Sequence, residues 1–167
     1  MKLVYENRGE MGVMTLFNPP QNRLISPEFA NIDELKNFIE TPSFKGIIIK
    51  GAGRHFSAGA DLDSIGKQTD SHDSKFEEDL NAGKALLDVI SNATVPTVAA
   101  VRGSCLGAGL EIALACHFRF ASRNALLGFP ESDHGLLPGL GGTLRAPQLL
   151  EKGRVVELLV SGRMVDG

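Results

Sequence analysis

Residues 95–116 read VPTVAAVRGSCLGAGLEIALAC. Pro96–Val101 is a run of β-branched and small apolar residues, the pattern of a strand buried on both faces. Gly103 breaks it, and Gly107–Cys116 then reads as a helix that is apolar all round. Upstream, Gly46–Lys50 (GIIIK) is a second buried strand, closed by Gly51-Ala52-Gly53. Between the two strands, Phe76, Leu80, Leu87 and Ile90 recur at helical spacing and predict a helix over Phe76–Ser91. Earlier still, Ser26-Pro27 reads as an N-cap followed by proline at the first helical position, opening a helix through Phe29, Ile32, Leu35 and Ile39 to about Glu40. The chain begins with a hairpin, Lys2–Glu6 and Met11–Phe17 around Asn7-Arg8-Gly9-Glu10, and Asn18-Pro19-Pro20-Gln21 stops its second strand. Downstream come short strands at Phe118–Ala121 and Ala125–Leu127, a glycine-rich loop over Gly135–Gly142, and helices at Thr143–Leu150 and Arg154–Val160. Ser64–Lys75 is polar, acidic and aperiodic, and reads as a mobile surface loop. Strand and helix alternate, which is an α/β plan.

The length of 167 residues fits one domain, 1–167, and at this size roughly 68–70% of the unfolded surface is removed on folding, enough for a core without staples. A net charge of −3 argues against a nucleic-acid binder. The deficit is local: seven acids and two lysines lie between Asp61 and Leu80. Cys105 and Cys116 sit in apolar sequence without CxxC spacing, as buried free thiols in a reducing compartment. MKLVYENRGE has no apolar signal core and no apolar run reaches membrane-spanning length, so the expected location is the cytoplasm, away from membranes.

Glu111 is the one acid in the apolar helix. A carboxylate buried alone is costly, so it is either paired, at a solvated helix edge, or a functional acid in a dry pocket. Glu131, in Leu126-Leu127-Gly128-Phe129-Pro130-Glu131, reads either as a glutamate at a helix N-terminus or as a second acid facing the same cavity. Two carboxyls there would hold one proton between them at neutral pH; such a pair can deprotonate a water and return a proton to carbon. Phe56-Ser57-Ala58-Gly59-Ala60-Asp61-Leu62 and Leu106-Gly107-Ala108-Gly109 are small-residue turns that let a ligand approach the backbone. One N–H from each turn would bind the oxygen of a polarised carbonyl, each donor worth ~3 kcal/mol in a transition state.

Other motifs fail. Gly51-Ala52-Gly53 and Gly107-Ala108-Gly109 lack the last glycine of GxGxxG, and no Walker lysine is present. His55, His72, His117 and His134 have no metal-ligand spacing and read as surface or packing residues, so no metal is expected. Ser57 and Ser104 lack the GxSxG setting of a hydrolase nucleophile.

Three blocks in one order resemble the signatures of the crotonase, or enoyl-CoA hydratase/isomerase, superfamily. They are Gly51–Leu62, Ala99–Ser122 through Arg102-Gly103 and Glu111, and Phe129-Pro130-Glu131 with Gly135–Thr143. The resemblance runs from about Met11 to the end. It implies a spiral of ββα units and an acyl-CoA thioester as ligand, with no cofactor beyond the coenzyme A of the substrate. It implies that the N–H groups of Ala60 and Ala108 form the oxyanion hole, and that Ala58, Gly59, Asp61, Leu62 and Gly107 lie along the CoA path. Glu111 would activate a water towards the β-carbon and Glu131 deliver a proton to the α-carbon, the hydratase pattern. Double-bond isomerisation, hydrolysis or decarboxylation on the same oxyanion hole, or a non-catalytic CoA-binding module, are the alternatives. Ala108 replaces a usual glycine, narrowing the approach, and His117 replaces a usual aspartate. Relatives continue past Ser161-Gly162-Arg163 with helices that complete the site and build trimers or hexamers, so a truncated member, or one module of a longer protein, is expected, working as a homo-oligomer.

Overall fold

The computed structural model describes residues 1–61 and 74–167. Leu62 and most of the acidic stretch read as a surface loop lie outside the described residues. Strand β1 (Lys2–Arg8) and β2 (Met11–Phe17) form the expected antiparallel hairpin, with Arg8 opposite Met11. β3 (Gly46–Gly51), β4 (Thr97–Val101) and β6 (Phe118–Ala121) then add in parallel, giving the order β1-β2-β3-β4-β6. The alternation of strand and helix forces this: parallel neighbours need a crossover, and the chain supplies one between each pair.

A second sheet pairs β5 (Ser104–Leu106) in parallel with β7 (Leu126–Gly128), and β8 (Val165–Asp166) antiparallel to β7. Neither β5 nor β8 is readable in the sequence. Three residues between Gly103 and Gly107, or two near the chain end, carry no periodicity; each is a strand only because a partner lies beside it.

The helices are α1 (Ile32–Ile39), α2 (Ser74–Ser91), α3 (Ala108–Ala115), α4 (Gly142–Leu149) and α5 (Lys152–Ser161), with a short 3₁₀-helix at Pro130–His134. Ser74 and Lys75, which the sequence pattern assigns to the loop, are instead the first two residues of α2. The predicted cap of α1 is a correction. Ser26 and Pro27 lie before the helix; Ser26 Oγ donates to Asp79 Oδ2 at 3.1 Å, tying this segment to α2. Asn31 caps instead, its Oδ1 accepting the amides of Asp33 and Glu34 at 2.9 and 3.0 Å, with both acids in the favourable first turn.

Met14, Leu16, Ile47, Ile49, Leu86, Leu87, Ile90 and Ile112 are fully buried in one core, with Phe56 and Phe129. Burial on both faces is a second correction. In β3 and β4 the residues Ile47, Ile49, Thr97, Ala99 and Val101 are buried, while Ile48, Val98 and Ala100 are half-buried. A β-branched run signals a strand, not how many of its faces are covered. Helix α3 behaves as read: of its eight residues all but Leu114 are buried, and Cys105 and Cys116 are buried free thiols. No helix among the described residues is long and apolar enough to cross a membrane.

Candidate active site

The first turn, Ser57–Asp61, follows β3 and is stitched to two other segments. Ser57 pairs with Cys105 as a bridge: its amide donates to Ser104 O at 3.0 Å and its carbonyl accepts from Leu106 N at 3.0 Å. On the other side, Ala58 N donates to Gln21 O, Leu24 N to Gly59 O and Asp61 N to Leu24 O, at 2.9, 2.9 and 2.7 Å. Ala60 therefore sits opposite Leu24 in a bridge whose bonds run through its two neighbours, and its own N–H is not used there.

The second turn opens α3. Gly107 N donates to Gly128 O at 2.9 Å, and Gly107 at φ +50° is the N-cap. Ala108 is thus the first helical residue, whose N–H has no partner within the helix. The two turns abut at Gly59, where φ is +86°: a Cβ there would lie 2.7 Å from Leu106 O and 3.6 Å from Ala108 N. Only glycine serves at such a position.

Glu111 lies one turn into α3 and is 1% exposed. Its Oε1 accepts the amides of Leu140 and Gly142 at 2.8 and 2.6 Å. Arg145 braces the donor loop, its Nη1 donating to Leu140 O at 2.9 Å and its Nη2 to Asp88 Oδ1 at 2.6 Å. Burial pushes the Glu111 carboxyl up to about 7; the Gly142 amide opposes this, the charge of Glu131 adds to it, and the Leu140 amide and Arg145 oppose it. Glu131 is the second residue of the 3₁₀-helix. Burial raises its proton affinity too, against its own backbone amide and His134. Its Oε2 is buried without a hydrogen-bond partner among the described residues. A Cβ on Gly107 would lie 2.5 Å from Glu131 Oε1, so the second turn packs directly on this carboxyl.

Ala60, Ala108, Glu111 and Glu131 line one cavity of about 370 Å³. Its other walls are mostly apolar, including Leu24, Phe76, Leu80, Leu136 and Leu140. Ala60 and Ala108, whose N–H groups are not used within their own turns, thus share a mostly apolar cavity with two carboxyls whose proton affinities burial raises, an arrangement that suits stabilising a carbonyl oxygen while moving protons nearby. Ala58, Gly59, Asp61 and Gly107 do not line this cavity; they belong to the turns that frame it. Glu131 stands in a 3₁₀-helix after a proline at its first position, so both sequence readings of it hold at once.

Sequence reasoning missed four contributing residues. His134 lines the cavity, three residues after Glu131 on a 3₁₀-helix, where such positions eclipse. The Leu140 and Gly142 amides hold Glu111, although the loop carrying them was visible as glycine-rich. Asn22 is fully buried and bonded to the loop before the first turn; its only sequence signal was an asparagine in a turn-rich stretch.

A family model described as enoyl-CoA hydratase/isomerase matches residues 6–167. The "Probable enoyl-CoA hydratase" of Bacillus subtilis (strain 168) is 37% identical over 158 residues, which are 94% of this chain and 60% of that protein. The peroxisomal fatty acid beta-oxidation multifunctional protein MFP2 of Arabidopsis thaliana is 34% identical over 166 residues, 98% of this chain and 23% of that protein. The crystal structure of an enoyl-CoA hydratase from Polaromonas sp. JS666 superimposes with a TM-score of 0.91 at 28% identity, over 99% of this chain and 65% of that one. The chain therefore spans about 60% of the length of the first relative and less than a quarter of the second. A family match of that extent, on a fold that superimposes so closely, makes this chain a member of the enoyl-CoA hydratase/isomerase, or crotonase, superfamily.

Proposed function

We propose that the chain carries the reaction centre of an enoyl-CoA hydratase, adding water reversibly to the double bond of a 2-enoyl-CoA thioester. The observation that carries this reading is the gathering of Glu111, Glu131, Ala60 and Ala108 around one cavity. In the hydration direction the thioester oxygen lies between the Ala60 and Ala108 amides. Glu111 enters ionised; with Oε1 held by two amides, Oε2 takes a proton from water as the water oxygen bonds to the β-carbon. The π electrons move towards the thioester oxygen, where the two amides stabilise the growing charge. Glu131 enters protonated and gives its proton to the α-carbon as the carbonyl re-forms. The pair ends with its charges exchanged, and one proton passing back resets it. Two carboxyls with raised proton affinities suit a cycle that needs one of each form near neutral pH.

The reading calls for no group beyond the coenzyme A of the substrate. It also takes the working form to be a homo-oligomer, supported by Leu144 and Val160, each 72% exposed on α4 and α5. Crotonyl-CoA hydration, followed by loss of enoyl-thioester absorbance with solvent deuterium traced to the α-carbon, tests the reaction. Turnover should fall ~10²–10⁴-fold in Glu131→Gln. Isomerisation or hydrolysis of crotonyl-CoA in place of hydration, decarboxylation of a carboxyacyl-CoA assayed beside it, or binding of the thioester without turnover, would reject the hydratase assignment.

A further inference from the structure

Asn22 is the one non-glycine residue at positive φ among those described, at +52°, and it is completely buried. A left-handed backbone is tolerated by asparagine better than by most residues, and burying a primary amide requires that its donors and acceptor be satisfied. All are satisfied here. Nδ2 donates to the carbonyls of Ala52 and His55 at 2.8 and 2.9 Å, with Phe56 O further off at 3.3 Å. Oδ1 accepts the Asn18 amide at 3.1 Å, and the Asn22 amide returns a bond to Asn18 O at 2.7 Å. The side chain therefore closes the loop between β3 and the first turn.

The Asn22 backbone continues the connection. Its carbonyl accepts from Ser57 Oγ at 2.8 Å, and the same Oγ accepts the Gly59 amide at 3.1 Å. Ser57 is also fully buried, so this hydroxyl has a fixed donor direction and a fixed acceptor direction. Gly59 immediately precedes Ala60. From β3 to Ala60 the chain has no helix or ladder of its own; side-chain bonds from Asn22 and Ser57 set its path together with the Leu24 and Cys105 bridges and the main-chain bonds from Phe56 N to Arg102 O and Ala58 N to Gln21 O, each 2.9 Å.

We infer that Asn22, acting with Ser57, is the positioning residue of the first turn: it sets where the Ala60 N–H stands relative to the Ala108 N–H. This deepens the proposed function, resting on its reading of Ala60 as a thioester donor. A donor displaced by a fraction of an ångström weakens most in the transition state, so the effect falls on kcat more than on KM.

Two variants of the full chain test this. Ser57→Ala removes the hydroxyl link with almost no change in volume. Asn22→Gly keeps the left-handed backbone accessible and removes the clamp. Hydrogen–deuterium exchange of residues 57–61 should quicken at least tenfold in each variant, with the β1–β2 hairpin unchanged; hydration kcat should fall ~10-fold or more, with KM within about threefold. Unchanged exchange at 57–61 in Ser57→Ala overturns the inference, as does faster exchange with an undiminished kcat. If Asn22→Gly fails to fold, Ser57→Ala decides alone. An inactive wild-type chain would reject the proposed function, whereas the exchange comparison would still decide whether Asn22 and Ser57 hold the turn.

Discussion

Gly142 donates its amide to Glu111 Oε1 at 2.6 Å across 31 residues of chain. The contact is tight on the carbon side as well, since a Cβ on Gly142 would lie 3.0 Å from Glu111 Oε1 and 2.9 Å from Phe129. A carboxyl that an apolar helix would otherwise strand is thereby oriented by main-chain donors from a separate loop.

Replacing Glu111 by glutamine should spare the fold and remove the chemistry. The glutamine oxygen still accepts both amides, and its amide group has no basic oxygen with which to deprotonate water. We expect the thermal transition to persist and hydration to drop ~10²–10⁴-fold, measured by circular dichroism and crotonyl-CoA turnover. A variant with turnover near wild type contradicts the role given to Glu111.

The same variant should change how stability depends on pH. Glu111 holds its proton in the folded state up to about 7 against an ordinary value of 4.5. Between those two values the folded chain binds more protons than the unfolded one, so its stability falls as pH rises through that window, by about 3 kcal/mol in all. Below about 4.5 the carboxyl is protonated in both states and contributes no slope. Urea unfolding at pH 5 and pH 8 should therefore show wild type losing more stability than Glu111→Gln on the alkaline side. Parallel pH profiles for the two proteins would count against it.

Ala108→Pro isolates one oxyanion donor. Proline is well tolerated at the first position of a helix, where the missing N–H has no helical partner, so α3 should form. Hydration should fall ~10²-fold while far-UV dichroism stays unchanged. Ala108→Gly, which keeps the N–H and widens the approach, should remain within about tenfold of wild type. Equal activity in the proline and glycine variants would show that this amide does not contact the reacting group.

Gly107→Ala should be damaging on two counts. The residue sits at φ +50°, and the added methyl would lie 2.5 Å from Glu131 Oε1. With ψ at −125° this conformation lies outside the left-handed helical region that other residues visit, so we expect a loss of ~1–3 kcal/mol from backbone strain alone, read as a lower denaturant midpoint. Hydration should fall at least tenfold because the Glu131 carboxyl must move. An unchanged midpoint would mean that the turn does not hold this conformation.

Much of the scaffold was legible because it rests on local patterns. The hairpin, β3, β4 and the apolar α3 follow from runs whose period or composition is their own property. The cap of α1 was not legible. Ser26-Pro27 and Asn31 are both acceptable helix starts, and the choice fell to Asn31 because Ser26 is bonded to Asp79, 53 residues away. Glu111 and Glu131 stood out as acids in apolar sequence, and a cavity shared by both was one reading of them; choosing it over a structural pairing or a helix-end glutamate took the tertiary structure.

The sequence by itself determined the alternation of strand and helix, the two small-residue turns and the presence of two anomalous acids, since each is a matter of residue type and neighbours within a few positions. Only the tertiary structure decided that Leu140 and Gly142 bond to Glu111, that Gly107 packs on Glu131, that β5 exists, and that the Asn22 carbonyl meets the Ser57 hydroxyl. Those are hydrogen bonds and close approaches between residues 24 to 35 positions apart, or strands too short to show a period. Nothing in a local pattern encodes which distant carbonyl a buried amide will meet.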